Sequence, residues 1–137
     1  MPKPSVGRVV AGVIVVAVVV IGARSLTIAQ QPGPARKVLL QQDLPMSGYE
    51  AVLAVVTMPV GTREGRHTHP GTALVYVQEG AITLDYDGRP TVTYKVGESF
   101  LVEAGRVHEG MNRGNIPVKA IATFIVEKGK PMTTQVQ

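Results

Sequence analysis

The sequence predicts an all-β domain, a β-sandwich or barrel, placed after an apolar N-terminal segment. From residue 36 onward the apolar residues come in short bursts, and Gly or Pro separates nearly every burst from the next. The chain holds 12 Gly and 8 Pro from residue 30 on, and the bursts are rich in Val, Ile, Thr and Tyr, which suit pleated strands. We find no convincing amphipathic helix, and strands of this length and spacing are typical of sandwiches and barrels.

The first element in chain order is an apolar helix. Residues 9–23 are only Val, Ile, Ala and Gly, preceded by Lys3 and Arg8 and followed by Thr27-Ile28-Ala29, with small residues at 27 and 29. This is the layout of a secretory signal peptide. A helix of this length reaches about 22 Å, short of the ~30 Å hydrocarbon core, so cleavage is favoured over a membrane anchor. Both alternatives for residues 1–29 export the rest of the chain, which we expect to be periplasmic or secreted, with membrane association only if the leader is uncleaved.

A short spacer separates this leader from a single domain. Pro32, Gly33 and Pro34 cannot continue a helix, so we predict a linker at 30–35, a domain at 36–130 and a tail at 131–137. The formal net charge is +4, but beyond the leader only 11 basic residues face 10 acidic ones. This balance does not support a nucleic-acid partner.

Seven bursts predict the strands of the domain. They span residues 38–40, 51–58, 74–77, 81–86, 92–96, 100–102 and 118–126. The dipeptide Glu79-Gly80 joins two bursts, and Asp87-Gly88 lies between two others. Both dipeptides predict hairpin turns.

Several predicted strands are apolar on both faces. In residues 74–77, Val75 and Val77 point to one side of the sheet, while Leu74 and Tyr76 point to the other. An apolar outer side needs a cover. We therefore predict a homodimer with Leu74 and Tyr76 in its interface.

The candidate site is carried by the three histidines of the chain. His67 and His69 are separated by one residue, and residues i and i+2 of an extended strand point to the same face. His108 follows after two or three further strands, a separation that a barrel can close. Because the chain has no Cys, a metal would be bound by His, carboxylate or water. Neutral imidazoles are metal ligands, although a His-x-His pair alone is equally compatible with surface histidines.

The residues around the histidines resemble the two motifs of the cupin superfamily. The stretch GTREGRHTHPGTALVYVQEG, residues 61–80, is similar to the first motif, and GESFLVEAGRVHEGMN, residues 97–112, is similar to the second. The resemblance is to a small single-domain cupin with a cupin-2-like conserved barrel. It implies a double-stranded β-helix, or jelly-roll barrel, with a divalent metal (Fe, Mn, Zn, Ni or Cu) held by His67, His69 and His108.

Two positions depart from the family pattern. Ala73 stands where the family has a Glu ligand, and Glu103 stands where the second motif has Pro. A metal bound here would have three neutral nitrogen ligands and open positions for O2 or an anionic substrate. Such a site resembles those of thiol and diketone dioxygenases within the cupins.

Four polar residues near the motifs receive structural interpretations. Glu64, Glu79 and Glu109 do not occupy the ligand position, and we predict that they are exposed loop acids. Asn112 is predicted to hold the loop after His108 by hydrogen bonding.

These features lead to one function hypothesis and two alternatives. The first is an exported metal-binding cupin that acts as a dioxygenase-like enzyme on a small molecule. The second is a non-catalytic cupin that binds a small molecule or metal as a sensor or accessory subunit. The third is a structural β-module with an empty site. No acid or base is recognised beside the histidines, so no catalytic residue is assigned.

Overall fold

Residues 32–137 form ten β-strands in the computed structural model, which describes this part of the chain. The strands are β1 Ala35–Asp43, β2 Tyr49–Met58, β3 His67–Thr68, β4 Gly71–Glu79, β5 Ala81–Tyr86, β6 Val92–Lys95, β7 Ser99–Val102, β8 His108–Met111, β9 Val118–Glu127 and β10 Thr134–Gln135. The predicted leader at 1–29, with its apolar helix, lies outside the described residues. Within residues 32–137 no helix is long and apolar enough to cross a membrane.

The strands are arranged in two antiparallel five-stranded sheets. The strand order is β1-β2-β9-β4-β7 in the first sheet and β10-β3-β8-β5-β6 in the second. Buried side chains from both sheets form one hydrophobic core, in which Val52, Val77 and Phe124 of the first sheet pack with Leu84 and Tyr86 of the second. The all-β prediction is therefore confirmed.

Alternation along the strands decides which side chains enter the core. In β9 every second residue from Val118 to Val126 is buried, and the residues between them are partly exposed. In β4 the buried positions include Ala73 and Val77, whereas Leu74 and Tyr76 point outward and are 45% and 47% exposed. Val75, on the same side as Val77, packs against the core, so the predicted directions of Val75, Val77, Leu74 and Tyr76 are confirmed.

All seven predicted strands are present, but three further short strands were not predicted from the sequence. These are β3, β8 and β10, which have two, four and two residues. They are too short and too polar to show a period of two. Two of them carry site histidines, and β10 pairs with β3, so residues 131–137 contribute a strand to the second sheet.

One predicted hairpin is confirmed and the other is wrong. β5 and β6 pair in antiparallel fashion around Asp87-Gly88, and the N–H of Arg89 donates to the carbonyl of Tyr86 at 3.0 Å. Glu79-Gly80 instead carries the chain from the first sheet to the second. Gly80 has a φ of +73°, and a Cβ there would lie 2.7 Å from the carbonyl oxygen of Pro117. Glycine is therefore needed here because the backbone has a positive φ and passes close to Pro117 where the chain changes sheet, and not because it forms a hairpin.

Candidate metal centre

The second sheet brings the three histidines to one place. His67 lies in β3, directly opposite His108 at the start of β8, and His69 lies between β3 and β4. All three side chains are buried. One ligand atom from each residue lies within 4.8 Å of the others. The triad predicted from the sequence is thus placed where it could hold one metal ion.

Each imidazole is held in one tautomer by a backbone carbonyl. The Nδ1 atoms of His67, His69 and His108 lie 2.7, 2.7 and 3.0 Å from the carbonyl oxygens of Gly65, Met132 and Arg106. A carbonyl oxygen only accepts, so each Nδ1 must carry the proton and donate it. In each histidine Nε2 is then the ring nitrogen left to bind a metal. The donor set therefore fits a divalent ion.

The surroundings keep two of these imidazoles neutral. Burial lowers the pKa of His69 to about 3 and that of His108 to about 4, and the neighbouring imidazoles contribute to the lowering. Both side chains are therefore uncharged at neutral pH. Ligand nitrogens in this state need no deprotonation before they bind a metal.

An apolar cavity of about 40 Å³ lies against the histidines. Its lining includes His69 and His108 and, from the core, Phe100 and Phe124. Ala73 also lines this cavity and is 1% exposed. Position 73 therefore faces the site, as the motif alignment requires, but it presents only a methyl group.

A second cavity of about 240 Å³ continues toward the surface. It is lined by His67 and Thr133, among others, and it shares Arg36 and Glu64 with the inner cavity. The two cavities thus meet at one cation and one carboxylate. The outer cavity is large enough for a small organic molecule, whereas the inner one has room for an ion and one or two waters.

Arg36 of β1 lies at the junction of the two cavities. Its guanidinium stacks on the ring of Phe124 at 4.7 Å, and that ring packs edge-on against His69 at 5.1 Å between centroids. Its two terminal nitrogens donate to Thr133 Oγ1 at 3.3 Å. Burial lowers the pKa of Arg36, and Glu64 opposes the lowering. Arg36 therefore offers a partly desolvated cation beside the triad.

Glu64 is the carboxylate of this region. Glu64 lies in a loop as predicted, but the predicted exposure is wrong, because the residue is half-buried and lines both cavities. Burial raises the pKa of its carboxyl group, while His67 and Arg36 act in the opposite direction. The site thus contains an acidic group that sequence analysis did not place there.

The prediction of an exposed loop acid is also wrong for Glu109, whereas Glu79 is exposed as predicted. Glu109 lies in β8 and is 1% exposed. It accepts hydrogen bonds from Arg63 Nε at 2.6 Å and from the N–H of Gly65 at 3.1 Å. The hydrogen bond from Arg63 lowers the pKa of Glu109. Glu109 is paired and supports the loop that enters β3, whereas Glu79 is exposed near Lys119.

Asn112 has the structural role predicted for it. Its Nδ2 donates to the carbonyls of Met58 and Ile116, each at 2.9 Å, and its Oδ1 accepts from the N–H of Gly114 at 3.0 Å. These bonds fix the chain where it leaves β8. Asn112 does not line either of the two site cavities.

Sequence reasoning missed Arg36 and misplaced Glu64. The one signal for Glu64 is its position three residues before His67. No local signal marks Arg36, because its partners Phe124 and Thr133 lie in distant parts of the chain.

Comparison with protein families agrees with the motif spacing. The family model of the cupin domain matches residues 54–134, which include all three histidines. Germin-like protein 9-3 of Oryza sativa subsp. japonica is 30% identical over 84 residues, which cover 58% of this chain and 39% of that protein. The chain therefore spans about two fifths of the length of this curated relative.

Solved structures agree with the fold. A double-stranded beta-helix protein from Klebsiella pneumoniae superposes with a TM-score of 0.63 at 19% identity, covering 80% of this chain and 89% of the other. The DMSP lyase DddQ from Ruegeria pomeroyi superposes with a TM-score of 0.64 at 19% identity, covering 76% of this chain and 52% of the other. At this identity the likeness establishes the fold alone.

The lowered histidine pKa values predict acid-sensitive folding of the metal-free protein. Unfolded histidine takes up a proton near pH 6.5, whereas folded His69 and His108 take one up only near pH 3 and 4. The unfolded state then binds more protons, so the free energy of unfolding should fall as pH drops from 7 to 5. The loss approaches about 1.4 kcal/mol per pH unit for each histidine below pH 6.5.

Urea unfolding of the chelator-treated protein across this pH range measures the effect. In a His69→Gln variant the free energy of unfolding should fall less steeply with decreasing pH, by the contribution of one histidine. Because Glu64 is present in both proteins, its own contribution cancels when the variant is compared with the parent. Equal slopes in parent and variant would contradict the prediction.

Proposed function

The chain belongs to the cupin domain family, and from this premise we propose that it is an exported metalloprotein in which His67, His69 and His108 hold one divalent ion. The observation that carries the proposal is the cluster of three buried histidines, with one ring nitrogen of each within 4.8 Å of the others and with each Nδ1 hydrogen-bonded to a carbonyl, so that Nε2 is the nitrogen left for a metal. Fe, Mn, Zn, Ni and Cu are the candidate ions. Export rests on the predicted leader at 1–29.

The ligand that this site favours is a small anion with an apolar body. A divalent ion would supply a Lewis acid with open positions beside the three nitrogens. Arg36 adds a second positive charge at the junction of the cavities, and its planar donors match a carboxylate. The outer cavity, which has room for such a molecule, is also lined by Pro34, Ala35 and Val56. A small carboxylate can therefore be held by its charged end while its carbon chain contacts apolar residues.

We propose that the bound molecule is converted by a dioxygenase-like reaction. One observation supports an enzyme: the outer cavity reaches His67 and has a volume of about 240 Å³, so a small substrate can lie beside an ion held by the triad. The structurally similar protein DddQ is a DMSP lyase, which shows that this fold can carry an enzyme. Ala73 favours the alternative, a non-catalytic binding or sensor cupin, because it removes the carboxylate that the family pattern places among the ligands.

We also propose that two copies of the chain associate through the outer face of the first sheet. Leu74, Tyr76 and Leu101 are 45–47% exposed there and line one groove with Ile121 and Thr123. No charged residue lines this groove, so it suits an equally apolar partner surface. A second copy meets that condition, because a two-fold interface uses the same patch twice.

Metal content tests the central claim. The protein, purified without an affinity tag and supplied with several metals, should hold about one divalent ion per chain. His67→Ala, His69→Ala and His108→Ala should each lose most of it, because two nitrogen ligands remain. Thr68→Ala, in the same strand, is the control and should keep its metal. Elemental analysis by mass spectrometry measures the result, and full metal content in all three histidine variants would exclude the site.

Ligand binding tests the predicted anion. The metal-loaded protein should bind short-chain aliphatic carboxylates and reject the corresponding amides in calorimetric titrations. Loss of a charge-assisted hydrogen bond costs about 1.5–3 kcal/mol, so Arg36→Gln should weaken binding by about 10- to 100-fold. Lys37→Gln removes the same charge from the neighbouring residue of β1 and should leave affinity unchanged. Equal binding by acids and amides would contradict the anion claim, and oxygen uptake with a bound carboxylate would separate the enzyme from the binding protein.

Sedimentation tests the dimer. Burial of a large apolar side chain contributes about 1.5–3 kcal/mol, so Leu74→Asp should shift the protein from dimer to monomer. Val96→Asp places the same charge at an exposed residue outside the groove and should leave the dimer intact. A parent protein that sediments as a monomer at high concentration would refute the interface.

A further inference from the structure

We infer that Glu64 is the anionic member of the metal site and replaces the carboxylate that is absent at residue 73. The inference rests on the proposed metal-binding function and adds a residue that lies outside the His-x-His motif. It assigns the negative charge of the centre to the loop before β3 instead of to β4.

Glu64 lines a cavity together with each of the three histidines. It shares the inner cavity with His69 and His108 and the outer cavity with His67. No other carboxylate of the described residues lines either cavity. Among residues 32–137, Glu64 is therefore the negative side chain that shares a cavity with an ion held by the triad.

The sheet contains a space that accommodates this carboxylate. Gly110 and His108 are two residues apart in β8 and share one face of the strand. A Cβ at position 110 would lie 2.5 Å from Oε2 of Glu64. Glycine thus leaves room beside His108, and the N–H of Glu64 donates to the carbonyl of Gly110 at 3.0 Å, which ties the two segments together.

The carboxylate would enter the site from the loop before β3, whereas the usual ligand position lies on β4. Ala73 ends in a methyl group on the wall of the inner cavity, so the space of a longer side chain there remains open. The Glu64 oxygens are not among the ligand atoms that lie within 4.8 Å of one another. Binding of the ion by Glu64 therefore requires its carboxylate to turn about the side-chain bonds toward the inner cavity, which Glu64 already lines.

The electrostatic consequence is a lower charge at the metal. Three neutral imidazoles leave a divalent ion with its full charge of +2, and one carboxylate reduces the total to +1. In a partly buried site this attraction strengthens metal binding. Arg36, which the ion would repel, then remains available for the anionic ligand.

Metal titration of a charge-neutral variant tests the inference. Glu64→Gln keeps the shape of the side chain and removes its charge, and it should weaken Co²⁺ and Mn²⁺ binding by about 10- to 100-fold, the usual effect of losing a supporting group at a metal site. Its metal-free thermal midpoint should stay at or above that of the parent, because a half-buried charge has been removed. A purely structural role would lower that midpoint and leave the affinity unchanged. Glu79→Gln, at an exposed acid, is the control.

Transfer of the carboxylate provides the decisive comparison. In a Glu64→Gln/Ala73→Glu double variant the charge enters the same cavity from β4, and affinity should recover to within about threefold of the parent. The Co²⁺ absorption spectrum of the parent should change in Glu64→Gln and not in Glu79→Gln. If the parent binds metal and the Glu64→Gln variant binds it with equal affinity, the inference about Glu64 is overturned and the proposed metal binding is not. A parent that binds no divalent ion would overturn the proposed function as well.

Discussion

Three hydrogen bonds from imidazole to backbone hold the centre of this molecule. Each bond joins a buried Nδ1–H to a carbonyl from a different part of the chain: the loop before β3, the loop before β8, and Met132 in the C-terminal segment. Burial of an unpaired polar group is costly, so the three loops are constrained by the same bonds that direct the Nε2 atoms inward. Stability and ligand geometry therefore depend on one set of contacts.

The dependence on Met132 explains why the C-terminal segment belongs to the domain. β10 pairs with β3, and the N–H of Val136 donates to the carbonyl of Arg66. Residues beyond β9 thus support the strand that carries His67 and the carbonyl that orients His69. A two-residue strand contributes little core area, but it closes the edge of the second sheet beside the triad.

The charged residues around the site fall into two groups with different roles. Arg63 and Glu109 satisfy each other through two hydrogen bonds, and Glu109 has no exposed surface left for a ligand. Arg36 and Glu64 line the cavities without forming a salt bridge to each other within the described chain. The first pair fixes the loop that enters β3. The second pair keeps hydrogen-bonding capacity for an ion and an anion, which gives the site its proposed chemistry.

The sequence by itself determined the strand class and the composition of the triad. Local alternation is enough to identify seven strands, and the i, i+2 spacing of His67 and His69 places both imidazoles on one face. The tertiary structure decided which acids and bases surround the triad. Glu109 is buried because Arg63, 46 residues away, pairs with it, and Arg36 reaches the site through contacts with Phe124 and Thr133, the latter 97 residues away. The physical reason is that side-chain periodicity reports only on neighbours along one strand, whereas burial and pairing of a charge depend on the order in which the strands assemble into two facing sheets.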